Sequence, residues 1–460
     1  MRLISRDTGR LVVLVVLAVI LGLFTTITHV RVLGVDYLER GTQLHRHEAV
    51  LEGRAPNPWQ YRVLSAHMVD PVLELFTWLG VPHPIASGFA AFRAAQDTTI
   101  LLLAFLFYRR LGLPATLAAF GVIFLAWGMS SAHFDSDLQF NTFFDIIFYL
   151  LAALIMLERR RGWVIPLAVL AALNRETSGL IPLLPLGAAA VARRGDELRR
   201  WLPPCAVALL GYVLVFVGLR IFLGGRPLFI PYGHEPGLDL LWYNMSRAIT
   251  WERILATVSV VPVIALIGYR VAPLLLRGLF WVIVPIWLTI HTMMSVIAET
   301  RLLLVPQALV FIPMALWAVH VASITDGSTP PETLYDDRDD APASKQGQVW
   351  ESPGADDNQQ RVDCSPLTRS RGDNLCAPWV TKRTRLEHQH EVRFLRRKSR
   401  RRNLRNSIRR GTASQYDDFE ERETKAGRDF RNGRSQPPSS GGISHEPPPS
   451  RHQIYSSRRR

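Results

Sequence analysis

Long apolar segments recur along the first 325 residues of the chain, separated by short polar stretches. Because the hydrocarbon core of a bilayer is about 30 Å thick, a helix needs about 20 apolar residues to cross it. Eight segments approach this length, and we expect each to be a membrane-spanning helix. They cover residues 11–33, 90–108, 113–132, 139–157, 203–223, 253–275, 278–298 and 302–323. The pattern therefore predicts an all-α, polytopic integral membrane protein.

The segment 163–192 differs from the others, because Asn174-Arg175-Glu176 divides it into two apolar halves. Each half is too short to cross a bilayer. Arginines precede the segment at 159–161 and follow it at 193–200, and the positive-inside rule places such clusters in the cytoplasm. The segment is therefore predicted to be a re-entrant helix pair with Asn174–Glu176 at its apex. Eight further crossings then place both termini in the cytoplasm.

Composition changes at about residue 325. The whole chain is 48% hydrophobic with a net charge of +14, but residues 326–460 are polar and contain every lysine. This part has too few apolar residues to bury a core, so we expect a disordered cytoplasmic tail. Its Arg-rich run at 393–410 is interpreted as solvated, with contact to anionic lipid as the alternative. Nucleic-acid binding is not expected, because no aromatic platform accompanies the run.

The three cysteines give no sign of a disulfide framework or a zinc site, because Cys205, Cys364 and Cys376 lack the spacing of either. The apolar residues 1–325 exclude an ordinary cytosolic enzyme. Arginine is abundant in this part, lysine is absent, and Ala, Gly and Pro are frequent in the chain. These features indicate a GC-rich bacterium and therefore a bacterial inner membrane.

Charged side chains inside the spans are candidates for function, because each costs about 2.5 kcal/mol or more at the bilayer centre and usually faces a cavity or a partner. Arg93 and Asp97 are four residues apart, on one face of the second span. The remaining groups follow helical spacing in two stripes: Asp137, Asn141 and Asp145, then His291, Ser295 and Glu299, with Arg301 after them. The predicted topology puts all of them in the outer half of the membrane. They indicate either a polar cavity open to the outside or ion pairs that join the helices.

The first outer loop, about 34–89, contains further candidates. Asp36 comes directly after the first span, where a carboxylate at the mouth of a cavity suits a general base. The alternative is an interfacial acid that is satisfied by loop contacts. Arg62 and Arg175 are suited to holding a lipid-linked phosphate, because the guanidinium fork matches its oxygens. Residues 63–79 are apolar with few polar insertions, which predicts a helix lying in the interface.

Three features of the chain resemble the GT-C superfamily of membrane glycosyltransferases. The early outer acid followed by a tyrosine–arginine pair is similar to the loop of the polyprenol-phosphate-mannose-dependent mannosyltransferases. The apex of the short helix pair and the start of the last span are similar to that superfamily as well. The residues concerned are Asp36-Tyr37-Leu38, Gly53, Tyr61-Arg62, Asn174-Arg175-Glu176-Thr177, and Glu299-Thr300-Arg301 with Pro306.

The resemblance implies an inverting sugar transfer on the outer face, from a polyprenyl-phosphate donor to a lipid or glycan acceptor. It implies Asp36 as the catalytic base, with phosphate contacts near Arg175 and Arg301. The paired acids of related branches are absent, so neither a metal nor another cofactor is expected. The predicted substrate-binding residues are Tyr61, Arg62, Arg93, Asp97, Asp137, Asn174, Arg175, Glu176, His291, Glu299 and Arg301.

Two other functions compete with this interpretation. A transporter or lipid-linked-sugar flippase would use the intramembrane acids as a proton relay. Such proteins often carry matching broken helices in both halves, whereas the sequence shows only one broken segment, 163–192. A membrane scaffold would instead act through its basic tail, 326–460.

Overall fold

The computed structural model describes residues 6–133 and 136–325. Within these ranges the chain folds into helices and contains no β-strand, apart from one isolated bridge between Asn57 and Leu228. This confirms the predicted all-α class. The predictions for the tail 326–460, including the run at 393–410, lie outside the described residues.

The helices follow one another with short connections. Those of the first half are α1 (Arg6–Leu33), α2 (Val35–Glu39), α3 (Thr42–Leu51), α4 (Val63–Trp78), α5 (Pro84–Arg110), α6 (Ala115–Ser131) and α7 (Phe140–Leu157). Those of the second half are α8 (Val164–Ala172), α9 (Leu183–Val191), α10 (Gly195–Leu223), α11 (Leu238–Ser246), α12 (Ala248–Val258), α13 (Val261–Ile267), α14 (Leu274–Met294), α15 (Leu304–Pro306) and α16 (Ile312–Thr325). A π-helical turn, Gln307–Phe311, joins the last two.

Six helical segments in the described residues are long and apolar enough to cross a membrane. They are α1 from Val12 onward, α5, α7, α10, α14 and the continuous stretch Thr300–Ile324. These six segments coincide with six of the eight predicted spans. Their length and apolar composition indicate a membrane protein. The apolar faces that α1 and α10 leave exposed are suited to lipid contact.

The other two predicted spans take a different form. The segment predicted as 113–132 is the 17-residue helix α6, shorter than the other six. The segment predicted as 253–275 is not one helix, because α12 and α13 meet at an angle of 69°. Ser259 has a positive φ of 54° at this break. Pro262 follows in the first turn of α13, where its missing N–H and fixed φ prevent α12 from continuing.

The segment 163–192 turns back within the bundle. Its two helices, α8 and α9, have nine residues each, so each rises only about 14 Å. The residues flanking the segment contact each other: Arg159 lies 4.0 Å from Glu197, and Arg161 lies over the ring of Trp201 at 5.7 Å. Both ends of the segment therefore lie at the same end of the bundle. Helix α9 also packs closely on α14 at Gly278, where an added Cβ would lie 2.4 Å from the α9 backbone. Glycine permits this approach because it has no side chain.

The predicted interfacial helix is α4, with bounds close to the predicted 63–79. Val69 and Leu73 are buried, and Leu73 contacts Gly88 of α5 so closely that a Cβ there would lie 2.8 Å from it. Leu75 and Trp78 face outward, and the Trp78 side chain is 79% exposed. Helix α4 therefore has one packed and one exposed apolar face, which suits a position at a membrane surface.

Candidate functional site

A pocket opens between α3, α4 and the residues around the start of α7. It is a small, open cleft with a cavity volume of about 50 Å³. Two predicted site residues, Arg62 and Asp137, line it together with Asn141 of the predicted stripe. Because α7 begins here and ends beside Arg159–Arg161, its 18 residues separate the pocket from that arginine cluster by about 27 Å. The pocket and the arginine cluster therefore lie at opposite ends of the bundle.

The carboxylate of the pocket belongs to Asp137, whose side chain is only 2% exposed. Arg46 of α3 donates a hydrogen bond to it. Burial disfavours the Arg46 cation, but the charges of Asp137, Tyr37 and Glu299 together outweigh this and raise the pKa of Arg46 above its ordinary value. The two residues form a charged pair in the wall of the pocket.

The predicted stripe Asp137–Asn141–Asp145 needs a correction, because α7 begins only at Phe140. Asp137 lies in the non-helical segment before it and accepts a hydrogen bond from the backbone N–H of Gln139 at 3.2 Å. A short acidic side chain that bonds the backbone two residues onward favours a turn over a helix. Asn141 and Asp145 alone share a helical face.

Asp145 is the centre of a buried network that fixes the apex of the re-entrant pair to α7. Asn174 donates from Nδ2 to Asp145 at 2.8 Å and to the carbonyl of Asn141 at 2.7 Å. Arg175 lies 3.3 Å from the Asp145 carboxylate, and Thr177 donates to it at 3.2 Å. Two of the three predicted apex residues, Asn174 and Arg175, therefore belong to this network.

His291 contacts Arg175 from the opposite side. Its Nδ1 donates to the carbonyl of Trp287 at 2.9 Å, which leaves the Nε2 lone pair to face Nη2 of Arg175 at 3.4 Å. The ring also stacks on Trp287 at 4.6 Å. The second predicted stripe ends here, because α14 stops at Met294 and Ser295 is extended. Glu299 therefore does not continue the face of His291.

Glu176 joins three elements. Its carboxylate accepts a hydrogen bond from Arg62 at 3.0 Å and lies 3.7 Å from Arg220 of α10. Tyr61 supports this arrangement from outside the pocket: its ring lies under Arg220 at 4.3 Å, and its hydroxyl donates to the carbonyl of Gly224 at 3.1 Å. Arg62 and Glu176 thus connect the pocket with the apex, while Tyr61 packs behind it.

Arg93 and Asp97 form the ion pair that their spacing predicts, at 2.8 Å and with both side chains buried. Asp97 also accepts hydrogen bonds from Thr25 and Thr26 of α1, at 2.9 and 3.0 Å. Arg93 donates to the carbonyl of Leu138 at 2.6 Å. This arrangement matches the alternative of helices joined by an ion pair, because the pair connects α1, α5 and the segment before α7.

Arg301 and Glu299 form a second ion pair after α14. Arg301 also donates to the hydroxyl of Ser136, beside the pocket carboxylate Asp137. The start of the last span is therefore tied to the segment that carries Asp137.

Asp36 lies apart from these clusters, on the exposed face of α2. The opposite face of α2 holds Leu38, which is fully buried. It also holds Glu39, whose carboxylate accepts a hydrogen bond from the backbone N–H of Ala86 at 2.8 Å. No described residue hydrogen-bonds to the Asp36 side chain. Its neighbour Tyr37 faces inward, where burial and the Asp137 charge raise the pKa of its hydroxyl.

Several pocket residues were not found from the sequence. Helix α3 contributes three of them: Gln43, Arg46 and His47. The side-chain oxygen of Gln43 accepts a hydrogen bond from the backbone N–H of Leu138 at 2.9 Å. Nothing in the spacing of this polar stretch distinguishes Arg46 from the exposed arginines on either side of it. Its partner Asp137 is 91 residues away in the chain.

In the described part of the chain, no group of three or more His, Cys, Asp or Glu side chains is arranged to hold a metal ion. Comparison of the chain with protein-family models, with curated proteins and with solved structures finds no match. The resemblance to the GT-C superfamily therefore rests on the residues of this chain.

Proposed function

We propose that this membrane protein is a glycosyltransferase of the GT-C type, which moves a sugar from a polyprenyl-phosphate donor to a lipid or glycan acceptor. The observation that carries the proposal is the pocket, where Arg46 and Arg62 lie beside the carboxylate of Asp137. Two buried donors there, Nε of Arg62 and Nδ2 of Asn141, have no hydrogen-bond partner among residues 6–133 and 136–325. Buried donors are normally satisfied, so the pocket favours a ligand rich in acceptor oxygens.

The pocket groups suit an inverting displacement. An acceptor hydroxyl oxygen attacks the anomeric carbon and its proton passes to a carboxylate, while the bond from that carbon to the phosphate oxygen breaks. The polyprenyl phosphate leaves with the electron pair, and Arg62 stabilises its negative charge. The sequence favours Asp36 as the base, whereas the pocket geometry favours Asp137, because Asp36 is exposed on α2. We propose Asp137 for this role.

We further propose that the pocket faces the outside of a bacterial inner membrane. The arginine-rich end of the bundle would then lie in the cytoplasm with both chain termini, in agreement with the positive-inside rule. This orientation counts α6 and the bent pair α12–α13 as spans and the pair α8–α9 as re-entrant. The exposed face of α4 would border the route by which a lipid donor reaches the pocket.

The test is sugar transfer by the purified full chain in proteoliposomes. Labelled polyprenyl-phosphate hexoses and pentoses are offered together with a membrane-lipid extract as acceptor, and labelled product is measured. We expect product with at least one donor, and loss of that product in Asp137→Asn. The exposed Asp239→Asn serves as a control for the loss of one outer carboxylate. Absence of product with every donor would overturn the proposal.

One observation favours transport as a second candidate function. The bend between α12 and α13 gives the chain a second broken helix, in addition to the interrupted segment α8–α9. Discontinuous membrane helices commonly form the substrate site of transporters. A flipping assay with a fluorescent polyprenyl-phosphate lipid tests this candidate. Movement across the bilayer that disappears in Asp97→Asn, while thermal unfolding in detergent shows that this variant remains folded, would support transport over transfer.

A further inference from the structure

A strongly basic surface lies at the end of the bundle opposite the pocket. Three parts of the chain form it: Arg109–Arg110, Arg159–Arg161 and Arg193–Arg200. The contacts of Arg110 with Glu158 at 3.3 Å and of Arg159 with Glu197 at 4.0 Å bring these parts together. With the adjacent Glu158 included, nine arginines stand against three acids, Glu158, Asp196 and Glu197, so the net charge of the set is +6. We call it the basic end surface.

The ion pairs of this surface involve two carboxylates among the described residues, Glu158 and Glu197. Glu158 is shared by Arg110 at 3.3 Å and Arg160 at 3.0 Å. Glu197 likewise serves two arginines, each at 4.0 Å. Because each of these carboxylates is divided between two guanidinium groups, the surface retains the capacity to bind an external anion.

Arg161 belongs to this surface and has a donor without a partner among the described residues. Its guanidinium lies 5.7 Å from the ring centroid of Trp201, a buried side chain at the start of α10. Its Nε is buried and has no hydrogen-bond partner among the described residues. A guanidinium that is held on an aromatic ring and has a free N–H is oriented for an oxygen acceptor.

The surroundings of Arg161 are those of a lipid. Trp163, at the start of α8, is 62% exposed, as tryptophans at a membrane–water boundary often are. Leu170 of α8 and Leu202 of α10 also expose their side chains. An acidic headgroup at Arg161 would therefore have apolar surface beside it for its acyl chains, which a soluble phosphate ester cannot use.

We propose that the basic end surface binds the headgroup of an anionic phospholipid. The phosphodiester accepts hydrogen bonds from Arg161 and the neighbouring arginines, and its acyl chains lie along α8 and α10. Such a lipid joins the two ends of the segment that carries Asn174 and Arg175 at its apex. By contacting both ends, the lipid stabilises the position of the re-entrant pair. This role does not depend on which reaction the pocket performs.

The test measures binding of phosphatidylglycerol and of phosphatidylcholine with identical acyl chains to the detergent-purified full chain by native mass spectrometry. The variant Arg161→Gln/Arg193→Gln removes two charges from the surface. The control Arg31→Gln/Arg40→Gln removes two exposed charges at the opposite end. At about fivefold per arginine, we expect phosphatidylglycerol to bind roughly 25-fold more weakly to the first variant. The control should bind as the wild type does.

Equal affinity of the wild type for the two lipids would overturn the proposal. Equal losses of binding in the two double variants would also overturn it. The tail 326–460 is present in the wild type and in both variants, so any binding that it contributes is the same in all three. Glycerol 3-phosphate is titrated in parallel, and binding as tight as that of phosphatidylglycerol would indicate a soluble-phosphate site instead. If the first variant does not fold, Arg199→Gln/Arg200→Gln tests the same surface with the same expected loss.

Discussion

The guanidinium of Arg175 lies 3.3 Å from the carboxylate of Asp145 and fixes the apex of the segment α8–α9 on α7. Both side chains are almost completely buried, at 5% and 0% exposure. A buried charge depends on its partner far more than an exposed one does, because no water replaces the lost contact. This pair, together with the hydrogen bonds of Asn174, determines where the apex stands relative to the pocket.

Removing one partner of this pair should destabilise the protein strongly. We expect Asp145→Asn to cost about 3–5 kcal/mol, because Arg175 would be left buried without its carboxylate. The double variant Asp145→Asn/Arg175→Gln should recover part of that loss, since no unpaired charge remains. Thermal unfolding in detergent measures both. The exposed Asp196→Asn is the control, and equal melting temperatures for Asp145→Asn and Asp196→Asn would contradict the prediction.

The two candidate bases differ in a way that turnover can measure. We expect Asp137→Asn to slow sugar transfer by about 10²–10⁴-fold, the usual contribution of a general base. Asp36→Asn should remain within about twofold of the wild type, since its carboxylate is exposed on α2 and bonds to no described side chain. The reverse order of effects would identify Asp36 as the base and leave Asp137 a structural role beside Arg46.

Arg62 should act mainly on donor binding. Arg62→Gln removes a charged donor beside the pocket, and we expect the KM for the donor to rise by about tenfold or more, from about 1.5–3 kcal/mol of lost interaction. Arg62→Lys should recover only part of this, because an ammonium lacks the fork of the guanidinium. Arg54→Gln, in the same outer loop but 61% exposed, is the matched control. A fall in kcat with an unchanged KM would contradict this assignment.

Packing of the re-entrant pair on α14 requires glycine at position 278. In Gly278→Ala, the added methyl group would lie 2.4 Å from Cα of Ala188, so the helices must separate. Overpacking of this kind typically costs about 1–3 kcal/mol. Gly218→Ala in α10 meets no atom within 4 Å and should be neutral or stabilising by about 0.5–1 kcal/mol, because alanine favours a helix. The melting temperature in detergent should therefore fall in Gly278→Ala and stay the same or rise in Gly218→Ala.

The long spans were predictable because their signal is local. A run of about 20 apolar residues specifies a membrane helix largely without help from the rest of the chain. The interruption at Asn174–Glu176 and the arginines on both sides of 163–192 are equally local, and they predicted a segment that turns back. The i, i+4 pair Arg93–Asp97 is also set by helical geometry alone.

The bend between α12 and α13 was missed, because apolar content does not reveal where a helix breaks. The predicted stripe was also wrong at Asp137, which precedes α7 (Phe140–Leu157). The spacing of Asp137 from Asn141 is helical, but Asp137 lies outside α7. Its side chain accepts a hydrogen bond from the backbone N–H of Gln139 before the helix begins. Likewise, the exposure of Asp36 depends on how α2 packs on α5, through Leu38 and through the bond of Glu39 to Ala86.

By itself, the sequence determined that this chain is an all-helical membrane protein with acids and arginines inside its apolar helices. Only the tertiary structure decided which of them meet: Arg46 with Asp137, Arg62 with Glu176, and Arg175 with Asp145. The physical reason is the range of the interactions. Apolar length and helical spacing act between near neighbours in the chain, whereas an ion pair across the bundle depends on the packing of helices that lie far apart in sequence.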